Sequence, residues 1–350
     1  MSESKKLGVG IVGCGHISEI HAQAVKQSKG LELVSVYSRS EEKAERFGAK
    51  HGITGFSNLE QFLADANLHA VAICTASGAH LEYGLAAAKA GKHVIVEKPI
   101  EVTLERAKAL INVCEVNGVE LAVIYQNRFL PDVIEMKKRL DAGELGKIFM
   151  GDAYVKWNRS QEYYDSGAWR GTLALDGGGV LINQAIHTID LLQWMMGDVQ
   201  SVFGQIGTFT HERLEGEDNA VAVLRFESDA IGVIQGSTSV QPPMTRRLEI
   251  HGEKGSAILN GDHLEFKTTA EQVSSPDLPD KTSTGAGSPF QDFVAAPHVR
   301  QFEAIAKAIQ KNEQPPVSGR ESLKSLAIVL AIYQSSSTDE IIKLVDLLKS

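Results

Sequence analysis

The sequence is short of cysteine, of clustered positive charge and of long apolar runs, and each shortage removes a class of protein. Its three cysteines, Cys14, Cys74 and Cys114, lie far apart without a C-x-x-C pair, so neither a disulfide framework nor a metal site is expected. They read as buried bystanders. No stretch gathers Lys and Arg, and the formal net charge is −9, so a nucleic-acid backbone would find no electrostatic partner here. No apolar run approaches the roughly 18 residues of a membrane span. Residues Met1 to Lys6 lead straight into a strand pattern, without the apolar core of a secretory signal. The expectation is a cytoplasmic protein that binds neither membrane nor nucleic acid. Internal repeats and low-complexity tails are missing too.

What is present is ordinary globular composition, 43% apolar and 23% charged, which excludes disordered and fibrous classes. At 350 residues the chain exceeds what one core usually organises, so two domains are expected. The first third alternates strand and helix periods: strands at Leu7–Val12, Leu31–Tyr37, Ala70–Cys74, Val94–Val96 and Leu121–Ile124, with helices between them at Ile17–Ser28, Ser40–Lys50, His80–Ala90 and Thr103–Gly118. Ser57-Asn-Leu-Glu60 reads as a capping box opening another short helix. This is the pattern of a doubly wound α/β domain over residues 1–126. Over 127–350 the pattern changes to α+β. A short helix from Pro131 to Ala142 precedes alternating runs at Ile148–Trp157, Val199–Thr210, Ala220–Phe226, Ala230–Ser239, Leu248–His251 and Ser256–Leu259, which suit an open antiparallel sheet. Helices are expected at Gly179–Met196, His298–Lys311 and Ser322–Ser336, and a long loop at 268–296.

Three constellations carry chemistry. Gly13-x-Gly15-x-x-Ser18 sits between a strand and a helix, where glycines let a pyrophosphate approach a helix N-terminus. At the end of the second strand, where an acid would hold the ribose of NAD, the chain has Tyr37-Ser38-Arg39-Ser40. A hydroxyl and a guanidinium suit a 2′-phosphate, which favours NADP over NAD, against the plainer reading of Arg39 as a solvated loop residue. Thr75-Ala-Ser77-Gly-Ala-His80 and Glu97-Lys98-Pro99 follow two further strand ends, where open α/β sheets hold ligands. Lys98 there could orient or deprotonate a hydroxyl, or be a surface turn lysine. The third constellation is Trp169-Arg170, then Asp176-Gly-Gly-Gly179, then Asn183, His187 and Asp190 at helical spacing on one face. A lone helical histidine is more often structural than catalytic, and Asp190 could simply hold its ring.

Ahead of that helix, Lys156 to Arg170 concentrates three cations with four aromatic rings, partly offset by Glu162 and Asp165. Arginine forks suit a carboxylate or diphosphate, and aromatic faces suit a sugar or uracil. The competing reading places Tyr163, Tyr164 and Trp169 in a core or subunit interface, with Arg159 and Arg170 paired to local acids or Arg170 on the nicotinamide carboxamide.

The glycine turn, the Glu97-Lys98-Pro99 strand end, and Gly178-Gly179 followed by Asn183-x-x-x-His187-x-x-Asp190 together resemble the glucose-fructose oxidoreductase, inositol dehydrogenase and MocA family over nearly the whole chain. The resemblance implies a Rossmann domain followed by a domain with a large, mostly antiparallel sheet used for homodimer or homotetramer assembly. It implies oxidation or reduction of one carbon of a sugar, sugar nucleotide, uronate or inositol with NAD(P), and a cis Lys98–Pro99 peptide. Carried onto this chain, the cofactor would meet Gly13, Gly15, His16, Ile17, Ser38, Arg39, Thr75, Ser77, His80, Glu97, Lys98, Asn127, Trp169 and Arg170. Substrate would meet Lys98, Arg159, Tyr164, Asn183, Gln184 and His187. Many members have an aspartate where this chain has Asn183, which cannot take a proton, so His187 becomes the expected general base, with Lys98 polarising the hydroxyl, Asn183 binding it and Asp190 supporting. Arg159-Ser-Gln-Glu-Tyr163-Tyr164, Trp169-Arg170 and Asn183-Gln184 are most similar to the UDP-N-acetylglucosaminuronate 3-dehydrogenases of bacterial surface-polysaccharide synthesis. Two rivals share the fold: a glycoside hydrolase that uses NAD transiently, and a cofactor-sensing regulator without chemistry, against which Lys98, His187 and Asp190 argue.

Overall fold

The computed structural model describes residues 6–269, 272–274 and 295–349. The chain forms two compact units, one drawn from the described parts of 1–101, 105–126 and 294–322, the other from 102–104, 127–293 and 323–350. No helix among the described residues is long and apolar enough to cross a membrane.

The first unit is built on six parallel strands in the order β3-β2-β1-β4-β5-β6. These are β1 (Leu7–Val12), β2 (Leu31–Tyr37), β3 (Thr54–Phe56), β4 (Ala70–Ile73), β5 (His93–Val96) and β6 (Leu121–Val123). Strand β4 is buried at every position and β1 at five of its six, as strands covered by helices on both faces must be, and this is why they read as unbroken apolar runs. The connecting helices are α1 (His16–Gln27), α2 (Glu41–His51), α3 (Leu59–Leu63), α4 (His80–Lys89) and α5 (Leu104–Val116). Ser40 caps α2 through its side chain, which accepts from the Lys43 N–H. The cap of α3 is Asn58 and not Ser57, because the Asn58 amide oxygen reaches the Gln61 N–H at 3.0 Å. Strand β3, which has only three residues and no apolar alternation, gave no sequence signal.

Helix α9 (Ala296–Lys311) completes this unit. Its Phe302, Ile305, Ala306 and Ile309 join the core cluster with Val9, Ile11, Ala22 and Val25. Two hydrogen bonds fix its register: the Gln301 amide donates to the Val123 carbonyl at 2.8 Å, and the Ser28 hydroxyl reaches the Val299 carbonyl.

The second unit contains a nine-stranded sheet among its described residues, in the order β14-β13-β12-β11-β7-β10-β9-β8-β15. Its strands are β7 (Ile148–Lys156), β8 (Val199–Gly207), β9 (Asn219–Phe226), β10 (Ile231–Ser237), β11 (Arg247–Gly252), β12 (Gly255–Asn260), β13 (His263–Thr268), β14 (Gln272–Ser274) and β15 (Ile342–Lys343). All neighbours are antiparallel except β7 and β10, which run parallel at the sheet centre. Of the expected loop at 268–296, residues 272–274 instead pair with β13, and 270–271 and 275–294 lie outside the described residues.

One face of the sheet carries α8 (Ile186–Met196). Gly151 of β7 permits the close approach, since a Cβ there would lie 2.7 Å from the Met196 sulfur. On the other face β9 presents Val221 and Val223, each 52% exposed. The remaining helices are α6 (Pro131–Asp141), α7 (Gln161–Asp165), α10 (Gly319–Thr338) and α11 (Leu344–Lys349). The helix expected at Gly179–Met196 starts differently from an ordinary α-helix: Leu181–Ala185 is a π-helical turn that runs into α8. Such turns recur at functional sites.

Candidate active site

In the first unit the sequence-selected residues gather at the carboxyl ends of the strands. Gly13 has φ +108°, and a Cβ there would lie 2.9 Å from the Cys74 carbonyl oxygen, so both conformation and space demand glycine. Gly15, exposed at the N-cap of α1, differs: no atom lies within 4 Å of the position its Cβ would take. Open space in front of the N-terminus of a twelve-residue helix fits a dinucleotide pyrophosphate. Ser18, in place of a third glycine, is fully buried, and its hydroxyl accepts the Gly15 N–H at 3.2 Å. His16 is exposed and Ile17 half-buried in the same turn. At the end of β2, Arg39 is exposed, while the Ser38 hydroxyl accepts the Ser40 N–H at 3.2 Å.

The ends of β4 and β5 are tied by buried polar groups. The His80 ring lies between the Pro99 carbonyl (Nδ1, 3.0 Å) and the Thr75 carbonyl (Nε2, 3.3 Å). At 0% exposure His80 offers no surface to a ligand. Its expected cofactor contact is therefore corrected: the imidazole joins the two loops that bear Thr75, Ser77 and Lys98. Burial pulls its pKa down, while the two carbonyl oxygens and the charges of Glu101 and Glu97 pull the other way, since only a ring with a proton on each nitrogen donates to both carbonyls. The Lys98–Pro99 peptide is cis, as the resemblance implied.

Glu97 is likewise anchored. One oxygen meets His21 Nε2 at 2.6 Å and the other accepts the Lys98 N–H at 3.1 Å. Burial alone would raise the Glu97 carboxyl, but the His21 hydrogen bond and charge outweigh it and hold it at about 2. Burial likewise opposes a charge on His21, and Cys74 and Glu97 reverse that effect, pushing its pKa up. His298, also buried, brings a third ligand atom within 4.8 Å of the other two. A cation at this trio would have to displace the proton that the short His21–Glu97 contact holds.

In the second unit the helix start and the basic segment form one connected cluster. Asn183 and His187 are half-buried, one helical turn apart. The Asn183 amide donates to Asp176 at 2.6 Å, and the other Asp176 oxygen accepts the Gly171 N–H at 2.8 Å. Asp176 therefore fixes the segment after Arg170 against the helix that carries Asn183. Asp190 is 1% exposed and grips Arg128 in a bidentate pair, both bonds 2.7 Å, with Trp194 stacked on that guanidinium at 4.9 Å. What this carboxylate grips is Arg128, and not the His187 ring that it was expected to hold. Asn127, beside Arg128, is buried.

Tyr163 is the hub of the basic segment. The Arg170 guanidinium lies 4.4 Å and the Arg159 guanidinium 5.3 Å from its ring, and its hydroxyl meets Arg170 Nη1 at 2.9 Å and Gln184 Nε2 at 3.3 Å. Arg170 also stacks on Trp169 at 4.6 Å, and Arg159 on Trp157 at 5.4 Å. Asp165, the nearby acid, pairs with Arg213. Among the described residues, Arg159 Nε, Trp157 Nε1 and Gln184 Oε1 are buried atoms without a hydrogen-bond partner. Tyr164 is 6% exposed and its hydroxyl pairs with Thr238 at 2.9 Å. Sequence reasoning missed Arg128 and Glu217. Glu217 is 2% exposed and accepts the N–H groups of Gly179 (3.0 Å) and Leu181 (2.7 Å) and the Tyr333 hydroxyl (3.1 Å). The only signal for it was its place in an acidic pair just before a strand.

Comparison with known proteins adds the following. Residues 7–125 match the model of an oxidoreductase family with an NAD-binding Rossmann fold, and residues 133–258 match a GFO/IDH/MocA C-terminal domain. The WlbA dehydrogenase from Bordetella pertussis, solved in complex with NADH and UDP-GlcNAcA, is 33% identical with a TM-score of 0.85, the match covering 97% of this chain and 99% of that one. The corresponding enzyme from Chromobacterium violaceum, in complex with the same two ligands, is 28% identical with a TM-score of 0.84, covering 97% and 96%. Myo-inositol 2-dehydrogenase of Thermotoga maritima is 26% identical over 345 residues, 96% of this chain and 98% of its own.

The His21–Glu97 pair makes stability pH-dependent with a defined sign. His21, raised above its ordinary 6.5, contributes fully below that pH and loses its contribution as pH rises toward its folded pKa. Glu97, lowered from 4.5, contributes above that pH and loses its share as pH falls toward about 2. His21→Gln should therefore lower Tm most between about pH 5 and 6.5, with the deficit shrinking toward alkaline pH. Melting curves across this range check it, and a deficit that is constant or grows at high pH contradicts the pairing.

Proposed function

The chain belongs to the GFO/IDH/MocA family of oxidoreductases, with an NAD-binding Rossmann fold, and from that premise we propose that it oxidises a secondary alcohol of an acidic sugar or sugar nucleotide. The observation that carries the substrate class is the pair of guanidiniums flanking Tyr163, whose N–H forks match a carboxylate or diphosphate. The Trp157 ring, under the Arg159 guanidinium, and Gln184 Nε2, bonded to the Tyr163 hydroxyl, belong to the same cluster. The 33% identical neighbour holds a sugar nucleotide of this chemistry, UDP-GlcNAcA.

The roles follow from side-chain chemistry. An imidazole nitrogen of His187 takes the hydroxyl proton, Lys98 places its ammonium beside the oxygen as negative charge develops, and Asn183, oriented by Asp176, hydrogen-bonds the substrate. Asp190 and Arg128 hold the helix beneath His187 as positioning residues. When bound, the nicotinamide supplies the hydride acceptor. Gly13, Gly15 and the start of α1 hold the pyrophosphate, and His16, Ile17, Thr75, Ser77, Glu97, Asn127, Trp169 and Arg170 complete the cofactor-side set. For assembly, the outward sheet face with Val221, Val223 and Ile231 is the proposed contact of a homodimer or homotetramer, since apolar side chains so exposed usually mark an interface.

Cofactor choice rests on the end of β2. No acid stands there to hold the ribose hydroxyls, and the exposed Arg39 suits a 2′-phosphate, which favours NADP(H). The NADH of the similar WlbA complex favours the other reading. Calorimetric titration should give tighter binding of NADP(H), with Arg39→Ala narrowing the gap. A preference for NAD(H) that this substitution leaves unchanged rejects the assignment.

Substrate class is tested at Arg159. Arg159→Ala should raise KM for a uronate or UDP-uronate by roughly tenfold or more while leaving KM for the neutral sugar counterpart nearly unchanged. An equal effect on acid and neutral sugar would show that Arg159 recognises no charge.

A further inference from the structure

Two adjacent acids, Glu217 and Asp218, stand between β8 and β9, 2% and 0% exposed, and they reach in different directions. Glu217 binds the start of the helix that bears Asn183, Gln184 and His187. Its carboxylate takes the Gly179 and Leu181 N–H groups, and its backbone carbonyl takes the Val180 N–H at 2.8 Å. Three of the donors that a helix N-terminus leaves without intrahelical partners thus end on one residue. The two backbones cross in contact: a Cβ on Gly179 would fall 1.8 Å from the Glu217 oxygen, and one on Gly216 would fall 2.4 Å from the Gly178 carbonyl carbon. Across the carboxylate stands Tyr333, whose hydroxyl donates to it.

Asp218 organises the other side. It accepts the N–H groups of Phe209 and Thr210 at 2.8 Å and of His211 at 3.1 Å, and it meets His211 Nδ1 at 2.9 Å. With a proton on each ring nitrogen, Nδ1 donates to Asp218 and Nε2 donates to the Arg159 carbonyl oxygen at 2.7 Å, and the ring is held in one orientation. The backbone of Arg159 is therefore set by Asp218 through His211.

From this geometry we infer that Glu217 and Asp218 are a pair of positioning residues with divided tasks, Glu217 setting the helix that carries the proton acceptor and Asp218 setting the arginine that recognises the acidic group. The inference rests on the substrate and roles proposed above. The division follows from what each acid holds. Displacing the helix start moves His187 relative to the reacting carbon and costs turnover, whereas displacing Arg159 costs recognition of the acid. A merely structural pair would lose folded enzyme in both variants without separating kcat from KM.

The experiment is steady-state kinetics with a UDP-uronate, kcat normalised to folded enzyme, together with hydrogen exchange of the full chain. In Glu217→Gln an NH2 group replaces one oxygen and faces a backbone N–H. The result expected is a kcat lower by roughly tenfold or more, substrate KM within about twofold, and dinucleotide Kd unchanged. Asp218→Asn should show the reverse, KM for the acid up by about tenfold with kcat largely kept. Should Glu217→Gln fail to fold, Tyr333→Phe removes one bond to the carboxylate, and a smaller kcat loss in the same direction is expected. Matching losses of kcat and KM in the two acid variants, or wild-type kinetics in either of them or in Tyr333→Phe, overturns the inference. If the wild-type protein turns over no acidic sugar, the proposed function has failed and hydrogen exchange decides the inference by itself. Amides 179–187 should exchange faster in Glu217→Gln and amides around 159 and 211 faster in Asp218→Asn, and unchanged exchange overturns it.

Discussion

The Glu217 carboxylate is a buried acid with three donors pointed at it, and the helix that carries Asn183 and His187 begins where those donors end. Burial pushes this carboxyl up to about 7, while the Leu181 N–H, the Tyr333 hydroxyl and the Gly179 N–H pull the other way. An acid kept in the interior at that cost must be fully hydrogen-bonded; the glycines at 179 and 216 let the two backbones come close enough, and Gly178 leaves room for the Tyr333 hydroxyl. The π-helical turn that carries the half-buried Asn183, and the Asp176 bridge from Asn183 to the basic segment, lie directly after that crossing.

In the Rossmann unit the corresponding constraint is the His21–Glu97 pair. It pins the end of β5 from below, and His80 pins the neighbouring loops from the side. Lys98 thus stands on a segment whose backbone is hydrogen-bonded at Glu97 and Pro99, a rigid support for a long and otherwise flexible ammonium. These anchoring groups are buried and hydrogen-bonded to protein atoms, and a substitution among them would act on geometry before it acted on chemistry.

Much of this was legible in the sequence. The strands of the first unit stood out because burial on both faces forces continuous apolar runs, and the glycine turn and helix caps follow from backbone geometry alone. Short elements such as β3 and β15 have too few residues to show a period. Of the proposed site, the half-buried members Asn183, His187, Lys98 and Arg159 could be named from sequence because of their side-chain chemistry. His80, Tyr164 and Asp190 look identical in sequence to ligand-binding residues, and only their burial reveals that protein atoms already use their polar groups. Arg128 carries no local pattern and Glu217 only its place in an acidic pair, since the partners lie 62 residues away for Arg128 and 36, 38 and 116 residues away for Glu217.

The account stands or falls on hydride transfer from an acidic sugar by the residues named. The most direct measurement is absorbance at the reduced-nicotinamide wavelength after mixing the protein with oxidised cofactor and a UDP-uronate, in wild type and in Lys98→Ala and His187→Ala. The account predicts substrate-dependent formation of reduced cofactor by wild type and a loss of roughly 100-fold or more in each variant, with dinucleotide binding retained. Undiminished rates in both variants, or release of free sugar without net cofactor reduction, would contradict it.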